Sequence, residues 1–316
     1  MISTVLSVQN LTKKFSQKKY FWQFYKNNQY KTIVDNISFD LKEGEIIGLI
    51  GPNGAGKTTV IQMLLSILTP TSGNIKYFSK EFTKSRSKIL KYISFASNYI
   101  NLPHKLTIEE SMNIYLKLYD ANTEMKTQKL DEYLKIFNLF NYKEKKIGIL
   151  SSGQILKLMI IKAFITDPKI VLLDEPTAAL DPDSAQLVRN FILQKQSQEN
   201  ISIILTSHNM EEISQMCQRV LVLKKGKIIA NESPENLINA QDLNVSLIKD
   251  NIENTKKIEE IALKNNFDYQ IKNQQIMLKV KKSKLNQVIN DLERFNITYC
   301  DLNINKPSLN DYFLSL

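Results

Sequence analysis

The chain has 316 residues, of which 43% are apolar, and this size predicts a globular protein of about two domains. Its net charge of +10 favours anionic partners, which include nucleotides, nucleic acids and the inner face of a membrane, without choosing among them. No apolar run reaches the roughly 18 residues that span a bilayer, so no transmembrane helix is predicted.

Short apolar runs typical of strands recur along the first two thirds of the chain. They are LSVQNL, IIGLI (46–50), IVLL (170–173), ISIIL (201–205) and VLVL (220–223). Segments with helical periodicity, such as 60–68 and 155–165, lie between them. Because strands buried on both faces lose the polar alternation of surface strands, these runs predict a largely parallel α/β sheet in residues 1 to about 230.

Nine residues, GPNGAGKTT, connect the run IIGLI to a helical segment and match the pattern G-x-x-x-x-G-K-[ST]. Glycines let the backbone turn its N–H groups towards phosphate oxygens, and the helix that follows presents its positive end to the same anion. A glycine-rich turn that happens to carry a lysine is the alternative, but the strand before and the helix after favour nucleotide binding. The predicted binding residues of this loop are Gly51, Pro52, Asn53, Gly54, Ala55, Gly56, Lys57, Thr58 and Thr59.

Two side chains of this loop have predicted chemical roles. Lys57 would neutralise charge on the β- and γ-phosphates, and the Thr58 hydroxyl would ligate Mg²⁺. Two carboxylates follow the run IVLL, and in a phosphate-loop fold Asp174 would hold the Mg²⁺ sphere while Glu175 would take a proton from the attacking water. A solvated strand end is the alternative interpretation of this acidic pair.

A helical insertion is predicted at about 100–165. Thr107 and Glu110 have the spacing of a capping box, in which each side chain pairs with the other's backbone N–H. One apolar stripe follows at helical spacing and comprises Ile108, Met112, Tyr115, Leu116 and Tyr119. We therefore predict an amphipathic helical subdomain within the α/β domain.

Further motifs appear in a fixed order: LSSGQ (150–154), DEPTAALDP (174–182) and TSH (206–208). With the phosphate loop they make residues 5 to about 234 resemble the nucleotide-binding subunit of an ABC transporter. The resemblance implies an α/β phosphate-loop NTPase cassette with an inserted helical subdomain, which binds ATP and Mg²⁺ and pairs head to tail with a second cassette. Each ATP would be capped by the other cassette's signature loop, Ser151, Ser152, Gly153 and Gln154. Ser152 stands where the family usually has glycine.

The resemblance also implies roles for single residues. Asp181 corresponds to the loop residue that links the two ATP sites, and His208 to the histidine that contacts the γ-phosphate and aligns Glu175 with water. Phe15 occupies the place of the aromatic ring that stacks on adenine, with Tyr20 and Tyr30 as possible substitutes. Asn98 stands where a glutamine usually senses Mg²⁺ and water, and its stem is shorter by one methylene.

The sequence pattern changes around Pro234 and predicts a domain boundary there, with an ATP-binding cassette at 1–234 and an accessory domain at 235–316. The accessory domain is predicted as strand, helix (254–264), strand, strand, helix, strand, a small α+β domain for which a ferredoxin-like arrangement is one option. Its second helix carries Leu285, Val288, Ile289 and Leu292 on one face. Cys217 and Cys300 lack the spacing of metal ligands, so we predict that they are inert thiols in a reducing compartment.

Residues 16–31 form an insertion with several lysines and aromatic rings but no acid. This composition suits a lipid headgroup layer, an anionic partner such as single-stranded nucleic acid, or an ordinary surface excursion, and the sequence leaves these open. We predict an ATPase subunit of an ABC transporter, cytoplasmic and peripheral on the membrane, with a separately encoded permease and a second cassette as partners. The ending PSLNDYFLSL resembles exporter cassettes. A soluble ABC ATPase acting on nucleic acid or ribosomes is the alternative. The single cassette argues against it, because the relatives that act in translation usually carry two cassettes in one chain.

Overall fold

The computed structural model describes residues 3–16, 30–97, 102–119, 123–249, 252–265, 267–272, 275–295, 297 and 299–314. The chain divides into two compact units, Met1–Ser233 and Pro234–Leu316. The predicted domains differ from these units by one residue at the boundary. Among the helices described, none combines the length and the apolar character needed to cross a membrane.

The first unit contains two sheets and their connecting helices. Its strands are β1 (Thr4–Ser16), β2 (Tyr30–Lys42), β3 (Ile46–Ile50), β4 (Ser72–Tyr77), β5 (Lys80–Glu81), β6 (Ile93–Ser97), β7 (Ile170–Asp174), β8 (Ser202–Thr206), β9 (Arg219–Lys224) and β10 (Lys227–Glu232). Its helices are α1 (Lys57–Leu64), α2 (Phe82–Leu90), α3 (Ile108–Leu118), α4 (Thr123–Ile136), α5 (Ser152–Phe164), α6 (Pro182–Glu199) and α7 (Met210–Met216). Short 3₁₀ turns lie at Phe140–Tyr142 and Ile147–Ile149.

A six-stranded sheet with the order β10-β9-β3-β8-β7-β6 forms the centre of this unit. Its inner pairs, from β9 across to β6, are parallel, and only β10 runs antiparallel to its neighbour. Every residue of β3, β7 and β8 is buried, as are residues 220–223 of β9, which confirms the prediction from four of the five apolar runs. Parallel strands place their carboxyl ends at one edge of the sheet, so the segments after β3, β7 and β8 meet there.

The run LSVQNL was wrongly predicted as part of this parallel sheet. It lies in β1, which pairs antiparallel with β2 and β4 in a separate sheet of order β2-β1-β4-β5. Leu6 and Val8 are buried, whereas Ser7 between them and Gln9 after them are more exposed. This alternation is the pattern of a strand with one buried face, and it distinguishes LSVQNL from the uninterrupted apolar runs.

The helical insertion is present, with α3 beginning at the predicted capping box. The Thr107 hydroxyl oxygen accepts from Glu110 N–H at 3.1 Å, and the Glu110 carboxylate accepts from Thr107 N–H at 2.9 Å. Ile108, Met112 and Leu116 are fully buried, while Tyr115 and Tyr119 are half-buried and lie against each other with ring centroids 4.7 Å apart. The predicted stripe therefore faces the interior.

The second unit contains one antiparallel sheet and several helices. Its elements are α8 (Pro234–Asn239), β11 (Leu243–Lys249), α9 (Ile252–Asn265), β12 (Asp268–Lys272), β13 (Gln275–Val280), α10 (Leu285–Arg294), β14 (Tyr299–Asn305) and α11 (Leu309–Leu314), with a 3₁₀ turn at Lys282–Lys284. The strand order β12-β13-β11-β14 and the antiparallel pairing match the predicted ferredoxin-like arrangement. Val288 and Leu292 of α10 are buried in its core, with Leu285 packed against them.

Candidate functional site

The phosphate loop, residues 51–56, leaves the carboxyl end of β3 and enters α1 at Lys57. Gly51 lies against β9 so closely that a Cβ there would meet the Leu223 carbonyl oxygen at 2.1 Å. Gly56 caps α1 with φ of 109°, a left-handed conformation that glycine adopts without strain. Pro52, Asn53 and Gly54 form the exposed tip. The two outer glycines are thus required by packing and by the turn.

Lys57 folds back onto the loop that precedes it. Its ammonium group donates to the Gly51 carbonyl oxygen at 2.6 Å and lies 3.4 Å from that of Pro52. Partial burial lowers the pKa of Lys57, and the negative charges of Glu175 and Asp174 act in the opposite direction. The lysine is therefore within electrostatic range of both acids. Thr58 is exposed in the first turn of α1, and Thr59 follows it half-buried.

Asp174 ends β7 and is buried, with 5% of its surface exposed. Its Oδ1 accepts a hydrogen bond of 2.5 Å from the Thr206 hydroxyl at the end of β8, and its Oδ2 lies 3.5 Å from the Ser97 hydroxyl at the end of β6. Three adjacent strands thus hold this carboxylate. Thr206 and Ser97 were missed in the sequence, although their positions at the ends of predicted strands were available as a signal.

Glu175, the second acid, adopts φ of 53°, which is uncommon for a residue with a side chain. Two contacts with Thr206 fix its backbone: Glu175 N–H lies 3.0 Å from the Thr206 carbonyl oxygen and 3.2 Å from its hydroxyl oxygen. Its carboxylate Oε1 is 3.1 Å from His208 Nε2. Such strained backbone is typical of functional sites. Glu175 and His208, which the resemblance assigns to the same step of hydrolysis, thus lie in direct contact.

The signature loop forms the beginning of α5. Ser151 caps the helix: its hydroxyl oxygen accepts from Gln154 N–H at 3.2 Å, and Ser151 N–H donates to Gln154 Oε1 at 2.9 Å. The hydroxyl proton of Ser151 remains available to donate to a phosphate oxygen. Ser152, the first residue of the helix, is exposed. Gly153 lies against the segment before α6, since a Cβ on it would be 3.4 Å from Leu180 Cδ2.

Asp181 caps the neighbouring helix α6 by accepting from Ser184 N–H at 2.9 Å. This hydrogen-bonding with Ser184 lowers the pKa of Asp181, with a smaller contribution from the charge of Lys157 on α5. The carboxylate is exposed. The loop that contains Asp181 and the start of α5 thus lie side by side on one chain.

Phe15 lies near the end of β1, opposite Lys31 of β2, and its ring is 40% exposed. Lys13 Nζ lies 5.2 Å from the ring centroid. Tyr30, one suggested substitute, pairs with Ser16 and is 60% exposed. Tyr20, Asn98 and most of the insertion 16–31 lie outside the described residues, so their predicted roles stay predictions.

The chain matches known proteins in sequence. Residues 34–178 match the family model described as "ABC transporter". The chain is 28% identical over 316 residues to "Uncharacterized ABC transporter ATP-binding protein YhcH" of Bacillus subtilis, covering 100% of this chain and 96% of that protein. It is 32% identical over 221 residues to "Nod factor export ATP-binding protein I" of Burkholderia pseudomallei, covering 70% of this chain and 72% of the other.

A solved structure shares the fold. The "Dimeric structure of a post-hydrolysis state of the ATP-binding cassette MJ0796 bound to ADP and Pi" superposes with a TM-score of 0.64 at 23% sequence identity, over 72% of this chain and 98% of that one. The predicted fold class, a phosphate-loop ABC cassette, is thereby confirmed. The chain belongs to the ABC transporter family, as an ATP-binding subunit of the ABC-type ATPases.

Proposed function

We propose that this chain hydrolyses ATP between two head-to-tail cassettes and thereby drives a separately encoded membrane permease. The observation that carries the proposal is the contact of 3.1 Å between Glu175 Oε1 and His208 Nε2. A carboxylate at that position is suited to accept a proton from water, and the imidazole is suited to orient it and to contact the γ-phosphate. Glu175 and His208, the residues in these two roles, both lie within the described part of the chain.

Asp174 at the end of β7 and Thr58 in the first turn of α1 fit a magnesium ion bound together with ATP. Asp174 supplies one buried carboxylate and Thr58 one hydroxyl, which are ligand types that Mg²⁺ prefers. In the part of the chain that the structure describes, no three acidic, histidine or cysteine side chains form a potential metal centre. An ion held by Thr58 and Asp174 would take its other ligands from phosphate, from water and, as the resemblance implies, from Asn98, which lies outside the described residues. Bound there, it would neutralise negative charge on the triphosphate.

The signature loop supports the proposed dimer. The start of α5 offers backbone N–H groups and the Ser151 hydroxyl, and these can contact a γ-phosphate without a fixed positive charge. Asp181 lies on the adjoining loop and would carry the link between the two sites. Because each chain has one phosphate loop and one signature loop, completing a site requires a second cassette, either another copy of this chain or a different one.

We further propose export as the direction of transport and the inner membrane face as the location. Support comes from the printed name of the Nod factor export relative and from the exporter-like ending of the chain. The net charge of +10 suits a surface of anionic lipids. These arguments favour a transporter over a soluble ATPase that acts on nucleic acid, for which only the charge and the insertion 16–31 speak.

The chemical part of the proposal is tested by replacing Glu175 with Gln. Losing a general base should lower ATP turnover about 10²- to 10⁴-fold, while Mg-ATP still induces dimers in sedimentation experiments. Turnover at the wild-type rate would remove Glu175 from its role. The transport part is tested by co-expression with the candidate permease, after which the protein should sediment with membranes. A protein that stays in the supernatant and binds RNA with a steep salt dependence would contradict it.

A further inference from the structure

Glu212 is a buried acid whose function no motif assigns. It is the third residue of α7, and only 1% of its surface is exposed. Its carboxylate oxygens lie 3.0 and 3.1 Å from the Thr177 hydroxyl, and Oε2 also accepts from the Ser207 hydroxyl. Burying a carboxylate is costly unless hydrogen bonds replace its lost water. Here two hydroxyl groups from two different segments make that replacement.

Each of these hydroxyl groups lies beside a proposed functional residue. Thr177 belongs to the segment 175–181, which begins at Glu175 and ends at Asp181, the cap of α6. Ser207 directly precedes His208. The carboxylate of Glu212 therefore connects the segment that carries the proposed base to the segment that carries the histidine. The contact between Glu175 and His208 is made by the same two segments.

A carboxylate fixes these hydroxyl groups more strictly than an amide would. It has no proton to donate, so both Thr177 and Ser207 must donate to it. The oxygen of Ser207 is then free to accept from Asn209 N–H, which it does at 3.0 Å. Asn209 in turn caps α7 through its side-chain oxygen, which accepts from Glu212 N–H at 3.2 Å. The residues on both sides of His208 are thus held in one closed hydrogen-bond network.

We propose that Glu212 is a positioning residue for ATP hydrolysis, because its buried carboxylate ties segment 175–181 to residues 207–209 and so holds His208 against Glu175. The inference rests on the proposed roles of Glu175 and His208. It adds a buried residue that acts through His208.

The test compares Glu212→Gln with Glu211→Gln in the full chain. Glu211 is the neighbouring acid on α7, but it is exposed, so this variant makes the same charge change without touching the network. Steady-state ATP hydrolysis supplies kcat and KM, and a fluorescent ATP analogue supplies the dissociation constant. Glu212→Gln should lower kcat about tenfold and leave nucleotide affinity within about twofold. Glu211→Gln should match the wild type. An unchanged kcat in Glu212→Gln would overturn the proposal.

A double-mutant cycle shows whether the effect passes through His208. In a His208→Ala background, measured in single-turnover experiments, Glu212→Gln should cost no more than about twofold. A tenfold loss that persists there would assign Glu212 a role unconnected with the histidine and overturn the proposal. Thr177→Val removes one hydroxyl at nearly constant volume and should lower kcat in the same way, which keeps the test decisive if Glu212→Gln fails to fold. A separate Glu175→Gln variant with normal turnover would overturn the proposed function itself.

Discussion

Replacing Gly153 by Ala should separate folding from function. Gly153 is the second residue of α5, and an added Cβ would lie 3.4 Å from Leu180 Cδ2 and 3.7 Å from the Ala179 carbonyl oxygen. These are ordinary van der Waals contacts, so the chain accommodates the methyl group without moving. Ala is favoured over Gly inside a helix by about 1 kcal/mol. The free energy of unfolding of Gly153→Ala should therefore stay constant or rise by up to that amount.

The proposed dimer gives the same methyl group a large effect. There the start of α5 faces the γ-phosphate of the partner's ATP, and a side chain on Gly153 would hold the phosphate away from the backbone N–H groups. Losing one hydrogen bond to a charged group costs about 1.5–3 kcal/mol. A symmetric dimer has two such sites, so the cost is about 3–6 kcal/mol, or about 10²- to 10⁴-fold in the dimer dissociation constant.

The assay uses a Glu175→Gln background, in which ATP-bound dimers should persist because hydrolysis is blocked. Sedimentation velocity with Mg-ATP compares that parent with the Gly153→Ala double variant, and urea unfolding compares their stabilities. Dimers as stable as those of the parent would refute the placement of α5 against the partner's phosphate. A free energy of unfolding reduced by several kcal/mol would instead refute the packing argument drawn from Leu180 and Ala179.

Two further predictions concern stability and reactivity. Burial raises the pKa of the Cys217 thiol, and the charge of Glu212 acts in the same direction. Alkylation of Cys217 at pH 8.5, followed by mass spectrometry, should therefore be at least about tenfold slower in the folded protein than in urea. Equal labelling rates would contradict this. The free energy of unfolding should also fall as the pH rises past 9.0, the ordinary pKa of a thiol, because the unfolded chain then loses a proton that the folded protein keeps. Arg219 donates to both carboxylate oxygens of Glu45, at 2.8 and 3.0 Å. Arg219→Ala should therefore lower the free energy of unfolding, measured in urea, by about 2–4 kcal/mol. Lys227 forms an exposed ion pair with Asp35, so Lys227→Ala should lower it by less than about 1 kcal/mol.

Much of the candidate site was predictable because its parts are local. The phosphate loop needs a strand, glycines at particular turns and a helix within nine residues, and the sequence shows all of these. The capping box at Thr107 likewise depends on residues three positions apart. The error over LSVQNL arose because burial on one face and burial on two faces were not distinguished, although the alternation of polar residues was present.

The partners of the acids were not predictable in this way. Thr206 and Ser97 contact Asp174 from 32 and 77 residues away along the chain. Glu212 reaches Thr177 across 35 residues. No spacing rule connects such positions, because their separation along the chain depends on the lengths of the helices between the strands. Glu212 looks like one of two adjacent acids in a polar segment, and only its burial distinguishes it from Glu211.

The turn of the phosphate loop and the family of the chain could be inferred from sequence, because glycines, caps and apolar runs act on their immediate neighbours. Which side chains face one another depends on the tertiary structure. β6, β7 and β8 lie side by side and parallel, so residues that follow them meet at one edge of the sheet. That edge is where Glu175 approaches His208 and where the carboxylate of Glu212 joins their two segments.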